Sequence, residues 1–221
     1  MRHLYLFFFC VSLFAQSKPV EIKINSLIAV NESNERNFNL TYTISNLTDK
    51  TINFILNPNL VIPIESGSLN PSVYYKLYEN ETAIDVGRVL TRTKLKKSFK
   101  DKKEMQKYSD SIFNVYKNKS EETLQKEKKK RISDNIQELK PKEERQYQIT
   151  LNWNKTRYFR NDIIEYYISE TTKHFFELHI NLMQDELLSD FTFGEKEEIL
   201  KDKNIIKGWF TSQKVEIDFG E

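Results

Sequence analysis

Two alternating runs, Leu40 to Ile44 and Ile52 to Leu56, flank the polar segment SNLTDK. In the first, Leu40, Tyr42 and Ile44 share one face while Thr41, Thr43 and Ser45 take the other; in the second, Ile52, Phe54 and Leu56 oppose Thr51 and Asn53. Period-two alternation on both sides of an Asn- and Asp-bearing turn predicts a β-hairpin with one wet face. The apolar face of such a sheet needs a cover. Further runs supply it: Val20, Ile22 and Ile24; Val73, Tyr75 and Leu77; Ile84 and Val86; Tyr147, Ile149, Leu151 and Trp153. The segment DIIEYYIS, the set Phe176, Leu178, Ile180 and Leu182, and the closing set Val215, Ile217 and Phe219 complete the series. About eight short strands separated by turn residues predict a mainly β chain folded as a two-sheet sandwich, with a β-barrel as the competing architecture.

The rhythm changes between Lys94 and Arg145. That stretch has no Gly and no Pro before Pro141, and most of its residues are strong helix formers. Met105, Tyr108, Ile112 and Val115 recur at helical spacing, and Leu124, Ile132, Ile136 and Leu139 form a sparser second stripe. Ser120 ahead of Glu121 and Glu122 reads as an N-cap. Two helices are expected, Lys94 to Lys117 and Ser120 to Leu139, each on the order of 30 Å long at 1.5 Å per residue.

Charge sharpens this division. Lys94 to Arg145 holds 17 Lys and Arg against 10 Asp and Glu, whereas the rest of the chain beyond residue 17 holds 16 against 22. The overall charge of +2 thus conceals a basic segment set into an acidic frame, and by itself predicts no nucleic-acid partner.

At the N-terminus, Arg2 and His3 precede a twelve-residue apolar run, Leu4 to Ala15, broken only by Ser12. The run is too short for a membrane anchor but fits a secretory signal, with Ala15 and Ser17 suited to cleavage. The expected organisation is a signal peptide over residues 1–17, a first part of the sandwich over 18–93, a charged helical insertion over 94–140, and a second part over 141–221. Cys10 lies within the leader, so a cleaved chain has neither disulfide nor thiol chemistry. With 221 residues and 13% aromatics, one good core is within reach.

Catalytic signatures are sparse. The five glycines are scattered singly, so no phosphate-cradling loop is present, and no serine sits in a nucleophile elbow. His174 and His179, five apart on a predicted strand, point to opposite faces and cannot share a metal; one packed and one exposed histidine is the expectation, with Glu177 on the face of His179. Trp153 is expected in the core beside Ile149 and Leu151. Trp209, after Gly208, is a candidate binding anchor, as is the basic run Lys126, Lys128, Lys129, Lys130 and Arg131. No catalytic, cofactor or metal residue is assigned.

The segment YTISNLTDKTINF, the strand start LKPKEERQYQITL and the terminal SQKVEIDF resemble small bacterial immunoglobulin-like sandwiches, and more narrowly uncharacterised secreted proteins of the Bacteroidetes. The likeness covers roughly residues 19–92 and 139–221. It departs at Lys142, where such families carry Gly after the Pro. The resemblance implies a fold and an address, exported to the periplasm or cell exterior, without an activity. Function is therefore expected to be non-catalytic: a binding or assembly module of the envelope, with a protein or glycan partner, no nucleic acid and no membrane span after signal cleavage. An envelope hydrolase acting on glycan or peptide is the alternative. Adhesion to a membrane surface would need a stronger apolar face than the two helices offer in sequence.

Overall fold

The computed structural model describes residues 18–32, 35–56, 58, 73–84, 89–92, 99–153, 158–160, 164–183, 188 and 191–220. The expected leader, Val86 and the expected start of the insertion at Lys94 lie outside them. The chain is mainly antiparallel β. In order, the elements are β1 (Val20–Glu32), β2 (Glu35–Asn46), β3 (Ile52–Ile55), β4 (Val73–Glu79), β5 (Thr82–Ile84), β6 (Leu90–Arg92), α1 (Lys102–Lys117), α2 (Glu121–Ser133), β7 (Ile136–Leu139) and β8 (Glu144–Trp153). After them come β9 (Tyr158–Arg160), β10 (Ile164–Tyr166), β11 (His174–Asn181), α3 (Phe193–Lys201), β12 (Trp209–Thr211) and β13 (Val215–Ile217).

Two sheets dominate. One runs β1-β2-β8-β6 and the other β12-β11-β4-β5, with β13 also paired to β11. Both feed one apolar core: Ile22, Phe38, Leu40, Tyr42, Ile149 and Leu151 from the first meet Leu77, Phe176, Leu178, Ile180 and Ile217 from the second. Trp153 lies in this core as expected, its ring 4.8 Å from that of Phe219. A smaller cluster of Ile55, Met183 and Leu188 is covered by Ile132 of α2 and by Ile199 and Leu200 of α3.

The expected hairpin does not form. β2 pairs β1 and β8, whereas β3 pairs β7, so the alternating runs around SNLTDK enter different sheets. Asn46 makes the corner. Buried at 1% exposure, its Nδ2 donates to the carbonyls of Lys50 at 2.7 Å, Leu139 at 3.2 Å and Lys140 at 2.8 Å, and its Oδ1 accepts from Thr48 N at 2.9 Å and Thr48 Oγ1 at 2.7 Å. A side chain that satisfies its own turn and a distant loop together steers the chain out of the sheet.

The second expected helix is also shorter than its stripe suggested. α2 ends at Ser133, and Ile136 and Leu139 belong to β7, paired with Ile55 and Ile52. Burial of Leu139 in the main core outweighs helix continuation through Asp134 and Asn135, both poor helix residues. The turn that follows fits type II, with Pro141 second and Lys142 third at φ 60°, while Glu143 N donates to Lys140 O at 3.0 Å. Position 142, where the resemblance calls for Gly, thus takes a left-handed backbone with a lysine in place.

β1 carries a bulge at Asn25, because Ile24 opposes Tyr42 and Ser26 opposes Thr41. The extra residue shifts the parity of core-facing positions from Val20, Ile22 and Ile24 to Leu27 and Ala29. On the open side of β1, Gln213 closes the edge: its Oε1 accepts from Ile24 N at 3.1 Å and its Nε2 donates to Ile24 O at 2.7 Å. The carboxamide stands in for a neighbouring strand and ties the two sheets together.

Candidate functional site

Alternation on β11 sends His174, Phe176, Leu178 and Ile180 to the core and Glu177 and His179 to the outer face. The two histidines therefore point apart, as the spacing requires, but neither is exposed: His174 is 1% and His179 8% accessible. His174 donates through Nδ1 to Thr172 O at 2.8 Å and presses edge-on against Phe219. Its Nε2 makes no hydrogen bond among the described residues, and Glu79 Oε1 lies 4.0 Å away.

Around His179 the outer face assembles a chain of hydrogen bonds from three strands. Tyr78 of β4 donates its hydroxyl to Glu177 Oε2 at 2.6 Å, and His179 Nε2 lies 2.8 Å from the same oxygen. An ionised carboxylate only accepts, so the imidazole proton sits on Nε2. Nδ1 is then left to accept from Thr211 Oγ1 of β12 at 3.1 Å. Burial pushes the His179 pKa down and outweighs the attraction of Glu177, so the ring is neutral near pH 7. Burial pulls the Glu177 pKa up, but the Tyr78 and His179 hydrogen bonds prevail and hold it below the usual carboxylate value. Lys214 Nζ stands 3.5 Å from the centre of the Tyr78 ring. Thr211 also lines an open groove of about 470 Å³ together with Val20, Ile22, Phe210 and Gln213. Sequence spacing alone placed Glu177 beside His179. Tyr78 and Thr211 arrive from remote strands through sheet register, which no local pattern reports.

A different surface is offered by α1. Every residue of α1 whose side chain is described is exposed, including Met105 at 48%, Tyr108 at 39%, Ile112 at 39%, Phe113 at 64% and Val115 at 55%. At 100° per residue Met105, Tyr108, Ile112 and Val115 fall within about 80° of the helix circumference, and Phe113 lies about 80° beyond Met105, with Ser109 and Lys102 between them. Apart from the Phe99 ring, 5.4 Å from Tyr108, no aromatic ring of the described residues meets these apolar side chains. The acids of α1 are engaged locally: Glu104 Oε2 accepts from Lys100 N at 2.7 Å, and Asp110 accepts from Gln106 at 2.8 Å. Lys102, Lys103, Lys107 and Lys117 form no ion pair among the described residues.

The basic run on α2 contrasts with this. Ser120 caps the helix as expected, accepting from Thr123 N at 3.2 Å. Lys126 pairs with Glu122 at 2.8 Å and Lys130 with Asp134 at 3.1 Å, both one helical turn apart. Lys129 reaches Glu195 of α3 at 2.6 Å, and its ammonium lies 5.6 Å from the Phe191 ring centre. The Lys129 hydrogen bond, joined by the Thr192 backbone and hydroxyl of the capping box, draws the Glu195 pKa down to about 2. Lys128 is exposed, and the side chain of Arg131 lies outside the described residues. Much of the run is thus neutralised within the chain, and Lys129 joins α2 to α3. Trp209 is 46% exposed on β12, beside the buried Phe210.

Among the described residues, no group of three or more His, Cys, Asp or Glu is placed to hold a metal ion, and no helix is long and apolar enough to cross a membrane. Comparison with family models, curated proteins and solved structures finds no match.

Proposed function

We propose that this chain is a non-catalytic, exported binding or assembly module of a bacterial envelope, an immunoglobulin-like β-sandwich that carries a charged two-helix insertion. The observation that supports this reading is α1, on which Met105, Ile112, Phe113 and Val115 stand exposed. A surface helix ordinarily buries such a stripe, and contiguous exposed apolar area marks interaction sites. In this reading the two sheets are the frame, α2 is fastened through Lys129 to α3, and α1 makes the contact. The test is capture. Tagged Lys18 to Glu221 is incubated with an envelope preparation beside the double variant Ile112→Ser/Phe113→Ser, and retained material is identified by mass spectrometry. An envelope component held by the parent and released by the variant supports the module; no component retained by either rejects it.

A second reading, an envelope hydrolase acting on glycan or peptide, draws on the chain Thr211–His179–Glu177. A neutral imidazole that accepts from a hydroxyl and is oriented by a carboxylate is the arrangement of an activated nucleophile. Thr211→Ala and His179→Gln are the variants to compare. Turnover of simple acyl esters or of isolated envelope glycan by the parent, lost in both, would move the assignment to catalysis.

A further inference from the structure

We infer that α1 is a lipid-surface helix that lies flat on an anionic bilayer, a reading that rests on the binding-module assignment and names its partner. A 16-residue helix is marginal in water unless an amphipathic face is packed, and Met105, Ile112, Phe113 and Val115 are exposed and belong to neither apolar cluster of the described residues. A surface outside the described chain would supply that packing. At 1.5 Å per residue α1 is about 24 Å long, so an apolar strip about 10 Å wide offers roughly 240 Å² on each of two copies. That is well below the roughly 1,200 Å² total that a stable dimer buries. Self-pairing through α1 alone is therefore too small, whereas a bilayer presents an unlimited apolar plane.

Charge separates lipid from a protein groove. Lys102, Lys103, Lys107 and Lys117 form no ion pair among the described residues, while the lysines of α2 at 126, 129 and 130 are each paired with a carboxylate. The four free ammoniums extend over about 22 Å of helix at 1.5 Å per residue. Such a diffuse row suits an array of headgroup phosphates. Aromatic and aliphatic residues along one side, Lys103, Lys107 and Lys117 on the other, Lys102 at the flank beside Phe113 and modest overall hydrophobicity suit an interfacial helix, whose apolar face sinks about 5–10 Å below the headgroups.

The chain from Lys18 to Glu221 is sedimented with vesicles of phosphatidylcholine, alone or mixed with an equal part of phosphatidylglycerol, while hydrogen exchange of α1 is followed. Binding is expected on the mixed vesicles, weaker on phosphatidylcholine and weakened by salt, with slower exchange in α1. Lys102→Gln/Lys117→Gln should lose about 30-fold in partitioning, at about fivefold per lysine near an anionic surface, and Lys126→Gln less than twofold. Ile112→Ser/Phe113→Ser should abolish binding while leaving the thermal unfolding midpoint in place, since both side chains are exposed. No binding to either vesicle, equal binding to both, or binding that survives the serine pair overturns the inference. An envelope protein captured through α1 while vesicles stay inert sinks the lipid assignment and leaves the module standing; loss of both sinks both.

Discussion

Replacing Asn46 with Ala tests the corner on which the departure from a hairpin depends. Nδ2 has two hydrogens and serves three carbonyls, so one bond is shared, and Oδ1 takes two further donors from Thr48. In the alanine variant the carbonyls of Lys50 and Lys140 lie near the surface and recover water. Leu139 O, whose bond to Asn46 is fully buried, keeps its ladder partner opposite Ile52 but loses its second donor. That loss costs about 1 kcal/mol, and loss of the remaining bonds adds about 1 more. We expect a loss of about 2 kcal/mol in urea unfolding, with an unchanged slope and a midpoint lower by about 1 M for a slope of about 2 kcal/mol/M. Exchange of the β3–β7 amides should quicken beyond that of β2–β8. Asn46→Asp, which turns the donor into a second acceptor facing three carbonyls, should lose at least as much at pH 7. An unfolding free energy within about 0.5 kcal/mol of the parent in both variants would refute a structural role for the corner.

Lowered pKa values at Glu177 and His179 both make the folded state bind fewer protons than the unfolded, so stability rises with pH. The His179 contribution is full above its ordinary value of 6.5 and declines as pH falls through the depressed folded value; that of Glu177 declines below 4.5. Thermal midpoints of His179→Gln should lack the first decline and keep the second. Gln213→Ala leaves Ile24 N–H and C=O unpaired on an open edge; we expect a loss of about 1–2 kcal/mol and concentration-dependent association by light scattering, as exposed edges recruit strands. Lys142→Gly removes a left-handed lysine at φ 60°. It should gain about 0.5–1 kcal/mol from relieved strain, less whatever the 2.8 Å bond from Lys142 Nζ to Leu47 O contributes, so a net destabilisation above 1 kcal/mol would assign the lysine side chain the larger role.

Local readings succeeded where one residue's neighbours along the chain decide its state. Ser120 as a cap, the helical stripe from Met105 to Val115, and the core face of Ile149, Leu151 and Trp153 all depend on spacing within one or two turns or pleats. They failed where a distant partner decides. Nothing between Leu40 and Leu56 states that Ile52 will face Leu139 rather than the preceding strand, because period two specifies a face and not a neighbour. Ile136 and Leu139 suit a helical stripe as well as a strand, and burial against the core made the choice.

The candidate surfaces divide in the same way. The amphipathic character of α1 was written in the order of its residues. That its apolar face stays open while the lysines of α2 find carboxylates is a property of the assembled molecule, since pairing of Lys129 with Glu195 needs two helices brought together from 66 positions apart. The Tyr78–Glu177–His179–Thr211 chain likewise exists only where β4, β11 and β12 lie in register. The sequence by itself determined caps, apolar faces and most element types, because backbone and side-chain preferences act over a few residues. Tertiary structure decided which elements meet, because burial and hydrogen-bond satisfaction are settled across the whole chain at once.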